Sequence, residues 1–188
     1  MGLTLFHGTL SIFKDKILKN GFTISTGSHH YLGDGVYFYP ELESARKWGA
    51  KKADKTKNGC CVVFRSQVIY SKCLDLTNGR KRDDFVKYCE EIDRHFESSG
   101  KVIKLNGKTN EDCCRARSCA CINTFCSGKN IDIVKAFVLR EMSNHRVQHT
   151  NSYLSNLGIS PFQEIQYCVR NLRCIKTREL FFEQEEYV

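Results

Sequence analysis

His7 and Gly8 sit side by side directly after the apolar residues 3–6, and there the residue types first point to chemistry. A histidine at a strand end offers an imidazole donor, and a glycine beside it lets a ligand approach the backbone closely. Thr9 adds a hydroxyl to the same triplet. Further along, Tyr37 and Trp48 could form the two faces of a slot for a flat heterocycle, since aromatic stacking suits a planar ring. Ala45 shares a helical segment with Trp48. Near the other end, Glu164 and Gln166 project from one face of a strand, because strand side chains alternate, and both could line one pocket. Each feature also has a plain reading. Tyr37 and Trp48 could be ordinary core aromatics, His7 a strand-end histidine and Glu164 a solvent-facing strand residue.

These residues need elements to position them. Residues 3–6 read as a short strand, and 12–19 as a helix with Ile12, Phe13 and Ile17 toward the core, stopped by Asn20-Gly21. Residues 22–25 suit a short strand, and the polar, glycine-bearing stretch 26–35 reads as a loop. Strand character returns at 36–39, and 41–53 has helical composition. The strongest strand signal is 60–70, rich in β-branched residues. Phe85, Tyr88, Cys89, Ile92 and Phe96 fall at helical spacing over 81–98, and a second helix is expected over 131–144, burying Ile131, Val134, Phe137 and Val138. Residues 164–169 and 173–182 close the chain as strands, while 99–128, with five cysteines, reads as the least structured stretch and a natural surface insertion.

The chain has 188 residues, 41% of them hydrophobic and only two proline, which supports a single packed domain over 1–188. No apolar run is long enough to span a bilayer, the start lacks the pattern of a secretory signal, and Phe6 stands where a myristoylation signal wants Ser or Thr. An intracellular protein, cytoplasmic or nuclear and monomeric, is therefore expected. Eleven cysteines, an odd number with adjacent pairs at Cys60-Cys61 and Cys113-Cys114, fit free thiols better than a disulfide framework. The cluster Cys113, Cys114, Cys119, Cys121 and Cys126 has no Cys-x-x-Cys knuckle, and His145 and His149 have no acidic signature between them, so no metal is expected. A net charge of +8 favours polyanionic partners, although no basic run is interleaved with aromatics.

Four blocks carry a family resemblance: Leu5-Phe6-His7-Gly8-Thr9, Ile17-Leu18-Lys19-Asn20-Gly21-Phe22, Gly33-Asp34-Gly35-Val36-Tyr37-Phe38 and Ser44-Ala45-Arg46-Lys47-Trp48. In order and spacing they resemble the diphtheria-toxin-like ADP-ribosyltransferases, the branch that includes the poly(ADP-ribose) polymerases, over about a quarter of the chain. In that family an aromatic residue stacks on nicotinamide eleven positions after the tyrosine, and Trp48 stands there. The resemblance implies that His7 bonds the NAD+ ribose, that the Gly8 backbone holds the nicotinamide carboxamide, and that Tyr37 and Trp48 sandwich the ring. Thr9 and Ala45 would belong to the same NAD+ pocket. The loop 26–34, with His29 and His30, would lie over the dinucleotide.

The family places a glutamate at the start of a late strand, where it polarises the ribose 2′-hydroxyl and steadies an oxocarbenium-like transition state. Two registers compete here. Glu164 supplies a glutamate directly, but Gln166-Tyr167-Cys168-Val169, with Ile175 nine positions after Gln166, fits the family strand better and puts Gln166 in the catalytic slot. A glutamine can bond the hydroxyl but carries no charge to stabilise a cation.

The expectation is thus an α+β protein with the ADP-ribosyltransferase fold, a split and mostly antiparallel β-sheet with flanking helices. It would act as an NAD+-dependent mono-ADP-ribosyltransferase, releasing nicotinamide and modifying a protein or nucleic-acid acceptor. The rivals are a catalytically silent NAD+ or ADP-ribose binding module and an RNA-acting, toxin-like relative.

Overall fold

The computed structural model describes residues 2–27, 30–56, 59–98, 110–139 and 163–184. The chain forms two sheets. Strands β1 (Gly2–Leu10), β3 (Cys61–Ile69) and β7 (Glu179–Glu183) make an antiparallel sheet in the order β1-β3-β7. Strands β2 (Val36–Phe38), β6 (Gln163–Val169), β5 (Ile133–Leu139) and β4 (Cys73–Asp75) make the second, in the order β2-β6-β5-β4. Only the β4–β5 pairing is parallel. The coarse expectation of an α+β chain with mostly antiparallel pairing therefore holds.

Alternation along the strands sorts their side chains into three apolar layers. Leu5, Val62, Phe64 and Val68 of the first sheet meet Val36, Phe38, Ile133, Tyr167 and Val169 of the second, with Ile17 of α1 (Lys14–Asn20) and Phe22 closing one end. The outer face of the first sheet, Phe6, Cys61 and Val63, is covered by α2 (Leu42–Asp54) through Ala45 and Leu42. The outer face of the second, Val134, Ala136 and Cys168, is covered by Phe85 and Tyr88 of α3 (Gly79–Ser98) and by Ile122, Phe125 and Cys126 of α4 (Asn110–Lys129).

Several expectations change. Residues 133–139 form β5, not a helix: Ile133, Val134 and Ala136 are buried from both faces between β4 and β6, whereas Phe137 is 50% exposed. The remainder of the expected helix, 140–144, lies outside the described residues. The stretch 99–128 is helical from Asn110, and Cys119, Cys121 and Cys126 are buried there. Ile17 does face the core, but Ile12 is 71% exposed, because residues 11–13 turn as a 3-10 helix before α1 begins. Residues 22–25 form no strand beyond the single bridge Ser25–Gly35. The final strand begins at Glu179, after a 3-10 turn at Leu172–Cys174. Ten of the eleven cysteines hold free thiols, and no helix among the described residues is long and apolar enough to cross a membrane.

Candidate functional site

Besides their packed faces, the two sheets share a short backbone seam. Phe6 N donates to the Tyr39 carbonyl and Tyr39 N to the Phe6 carbonyl, both at 2.8 Å, so β1 and the end of β2 meet as an antiparallel pair. Continued for one more step, that ladder would pair Gly8 with Tyr37. Instead the strands part, and His7 Nδ1 donates to the Tyr37 carbonyl oxygen at 2.7 Å. The imidazole thus takes the place of the missing pair and satisfies one of its acceptors.

Gly8, itself buried, is left beyond the end of that pairing. Backbone groups on a strand alternate sides, and two bonds fix the phase: Phe6 bonds outward to Tyr39, and Ser11 N bonds inward to Cys60 O at 2.8 Å. Gly8 shares the parity of Phe6, so its N–H and C=O point away from β3, toward the gap between β1 and β2. The absence of a side chain at Gly8 serves packing. A Cβ there would lie 1.9 Å from the Ala45 carbonyl oxygen, so α2 can seat on β1 only against glycine. The same helix closes on β3 at Gly49, where a Cβ would fall 2.2 Å from Cys61 Sγ.

His7 is a neutral group at physiological pH. Burial pulls its pKa down to about 4, with the Lys52 charge acting in the same direction and the bond to Tyr37 acting against it. Its ring packs edge-on against Phe22 at 5.1 Å between centroids, which fixes its orientation. Because Nδ1 donates, Nε2 is the acceptor of the neutral ring.

Tyr37 faces the other way from the buried Val36 and Phe38, toward Cys168, its direct partner on β6. Its hydroxyl donates to Gly33 O at 2.8 Å and accepts from Leu32 N at 3.0 Å, which ties the loop before β2 to the strand. Burial drives the phenol pKa well above its ordinary value, so it stays protonated. Trp48 lies on α2 and is 38% exposed, with Lys52 Nζ 5.3 Å from its ring centre. Among the described residues no ring contact joins Tyr37 and Trp48. The two aromatics stand on separate elements that flank the seam.

Gln166 lies on the same face of β6 as Cys168 and Glu164, and its Nε2 donates to the Tyr39 hydroxyl at 2.7 Å. Tyr39 is buried at the seam, so Gln166 is brought to the point where the sheets part. Glu164 sits further back, opposite Val138 on β5. Burial raises the Tyr39 pKa, and the charge of Glu164 raises it further, which puts that carboxylate within electrostatic reach of the hydroxyl. Thr9 is buried next to His7 and Gly8 on β1. His29 lies outside the described residues, whereas the His30 ring packs tilted against Tyr37, with centroids 5.6 Å apart.

Two supporting residues, Asn123 and Arg170, escaped the sequence reading. Asn123 of α4 accepts from Asp34 N at 2.8 Å and from Arg170 Nη1 at 2.6 Å, while Arg170 also donates to Asp34 O at 3.0 Å. A Cβ at Gly33 would collide with both, at 2.5 Å from Asn123 Oδ1 and 2.8 Å from Arg170 Nη1, so this clasp explains the glycine. Lys52, part of a basic run in the sequence, is placed by helical spacing over Trp48 and within electrostatic reach of His7. Asn and Arg at such distances in sequence carry no motif; only the fold brings them together.

No family model matches the chain. It is similar to an uncharacterised protein of Methanocaldococcus jannaschii, 29% identical over 95% of this chain and 87% of that relative.

Proposed function

We propose that this chain is an NAD+-dependent mono-ADP-ribosyltransferase built on the ADP-ribosyltransferase fold, with its nicotinamide site at the seam where β1 and β2 part. The observation that carries the reading is the Gly8 edge. By strand alternation one residue presents an N–H and a C=O toward the side where β1 and β2 part, and a primary carboxamide, with an acceptor oxygen and a donor nitrogen on one carbon, is their complement. Nicotinamide bears that group on a flat ring, and Tyr37 and Trp48 stand on β2 and α2, the elements next to Gly8. A neutral His7 with Nε2 as acceptor suits a ribose hydroxyl, and Lys52 beside it suits the charge of a diphosphate.

Bound NAD+ would supply a ribose whose bond from C1′ to the nicotinamide nitrogen can break. The electron pair leaves with nicotinamide, a lone pair of the acceptor forms the new bond to C1′, and the acceptor's proton passes to solvent. The protein's part is to hold the ring and ribose in place and keep competing contacts out. Gln166 gives its Nε2 to Tyr39 and keeps Oε1 as an acceptor for a hydroxyl, without charge. A site with an uncharged amide at this position stabilises developing positive charge weakly, which favours a single transfer over chain growth. The same amide supports a second reading, an NAD+-binding module without turnover.

Calorimetry with NAD+ and a nicotinamide-release assay on the full chain separate the possibilities. The transferase reading expects saturable binding and slow release, both lost in His7→Ala. Binding without release leaves the module, and no binding by the wild-type chain ends both.

A further inference from the structure

A cavity of about 530 Å³, within the range of small-molecule sites, lies beside the start of β1, and none of its described lining residues belongs to the seam. Its floor is the edge of the core between the sheets. Leu3, Tyr70 and Cys73 pack against that core, and Tyr167 belongs to it. The charged wall comes from the second sheet and α3. Lys135 of β5 pairs in register with Asp75 of β4 on one side and with Tyr167 of β6 on the other, so the three side chains stand on one sheet face. Lys81, from the start of α3, reaches the Cys73 carbonyl of β4.

The polar groups of this wall do not cancel. Asp75 is engaged, one carboxylate oxygen accepting from Lys135 Nζ at 3.2 Å and the other from the amide and hydroxyl of Thr77. Lys135 keeps its charge, because the bond to Asp75 outweighs burial. Lys81 Nζ has only the Cys73 carbonyl, at 3.4 Å, and among the described residues no acid pairs with it. Asp83 and Asp84 follow it on α3 but do not line the cavity, and Asp132 is held behind Ser71 by bonds from Ser71, Lys72 and Asn171. Tyr167 is the sharpest case. It is only 7% exposed, it lines the cavity, and its hydroxyl makes no hydrogen bond among the described residues. Burial raises its pKa, so the hydroxyl keeps its proton and is a donor. A buried donor facing a cavity is costly unless something there accepts from it. Water could accept that one bond, but it brings no charge to meet the ammonium groups around the same space.

We infer that this cavity binds a small aromatic carboxylate, its oxygens accepting from Tyr167, Lys81 and Lys135 and its ring lying against Leu3, Tyr70 and Tyr167. Two ammonium groups beside one engaged carboxylate leave a single positive charge for the ligand, which matches a monoanion. A phosphate monoester, largely a dianion near neutral pH, carries more charge than the wall answers. A floor of phenol rings and leucine suits a flat apolar body, and the volume admits one or two rings. The site does not depend on the NAD+ reading.

NMR titration of the full chain with 2-naphthoate, 2-naphthamide and 2-naphthyl phosphate tests this. The carboxylate is expected to shift the amides of Cys73, Lys135 and Tyr167 but not those of His7 and Gly8, with a Kd on the order of 1 mM, usual for a fragment of this size. The uncharged amide should bind at least fivefold more weakly, and the phosphate no more tightly than the carboxylate. Tyr167→Phe should weaken the carboxylate about tenfold, as loss of a hydrogen bond to a charged group implies, and leave the thermal midpoint unchanged, since the hydroxyl serves no protein group. Lys81→Gln, at an exposed position that threatens no packing, should cost about fivefold. Lys72→Gln, close by but outside the lining, should bind like wild type. The inference is overturned by the absence of saturable shifts at the cavity, by wild-type affinity in both Tyr167→Phe and Lys81→Gln, or by amide or phosphate binding that matches or exceeds these limits. A lowered midpoint in Tyr167→Phe would also overturn it, by showing that the protein itself uses the hydroxyl.

Discussion

The imidazole of His7 stands 2.7 Å from the carbonyl oxygen of Tyr37, where the next rung of the Phe6–Tyr39 ladder would otherwise have been Gly8 with Tyr37. One side chain therefore keeps the strands apart and caps the acceptor that parting them exposes. His7→Ala leaves that part-buried carbonyl without its donor, and urea denaturation should show a loss of about 1–3 kcal/mol. NAD+ binding should disappear in the same variant. Full retention of both stability and binding would sink the wedge and the site together.

The same histidine sets a pH dependence. Its folded pKa of about 4 lies below the ordinary value of 6.5, so between those values the unfolded chain holds a proton that the folded chain does not. Stability from this group is then complete above about pH 6.5, declines as pH falls, and levels off near pH 4, with a total of about 3 kcal/mol. His7→Gln should remove that limb from the denaturation profile. Asp132 acts in a lower window. Burial works against its ionisation, but bonds from Asn171, the Lys72 amide and Ser71 outweigh this and hold the carboxyl down at about 2. Its contribution is present above about pH 3.8 and lost as pH falls toward 2, so the two limbs can be read separately from one titration.

Gly8 and Gly128 give opposite expectations for one substitution. A Cβ on Gly8 meets the Ala45 carbonyl oxygen at 1.9 Å, backbone that can yield only if α2 moves off β1. Gly8→Ala should cost on the order of 3 kcal/mol or prevent folding, since overpacking against fixed backbone lies at the upper end of such effects. Gly128, in α4, has nothing within 4 Å of an added Cβ, and Gly128→Ala should raise stability by up to about 1 kcal/mol through helix propensity. Thermal denaturation of both variants checks this, and equal midpoints would contradict the close approach at Gly8.

What the sequence could disclose depended on how local the signal was. The Gly35-Val36-Tyr37-Phe38 block and the helix bearing Ala45 and Trp48 were legible because turn residues, strand residues and helical composition follow one another directly. Residues 131–144 misled for a physical reason: Ile131, Val134, Phe137 and Val138 are spaced like one helix face, but a strand buried on both faces has no alternation to display. Burial of Ile133 and Ala136 and exposure of Phe137 report the strand. The clasp of Asn123, Arg170 and Asp34 could not be read at all, because its members are 47 and 89 residues apart and neither type is tied to a motif. Gln166 was legible as a candidate through strand alternation, yet its bond to Tyr39 follows from the seam, which only the tertiary pairing creates.

Gln166 offers the sharpest test of the chemistry. It already lies at the seam, bonded to Tyr39, while Glu164 is two residues back on the same face. If the site breaks the bond from ribose C1′ to nicotinamide, positive charge grows on the ribose as the bond lengthens, and a carboxylate at position 166 would meet it directly. Gln166→Glu should raise nicotinamide release at least tenfold with little change in NAD+ affinity, because the added interaction exists only in the transition state. Glu164→Gln should then lower release by less than Gln166→Glu raises it. The reverse pattern, with Glu164→Gln abolishing release and Gln166→Glu neutral, would move the catalytic position to Glu164. Unchanged release in both variants would remove either residue from the chemistry.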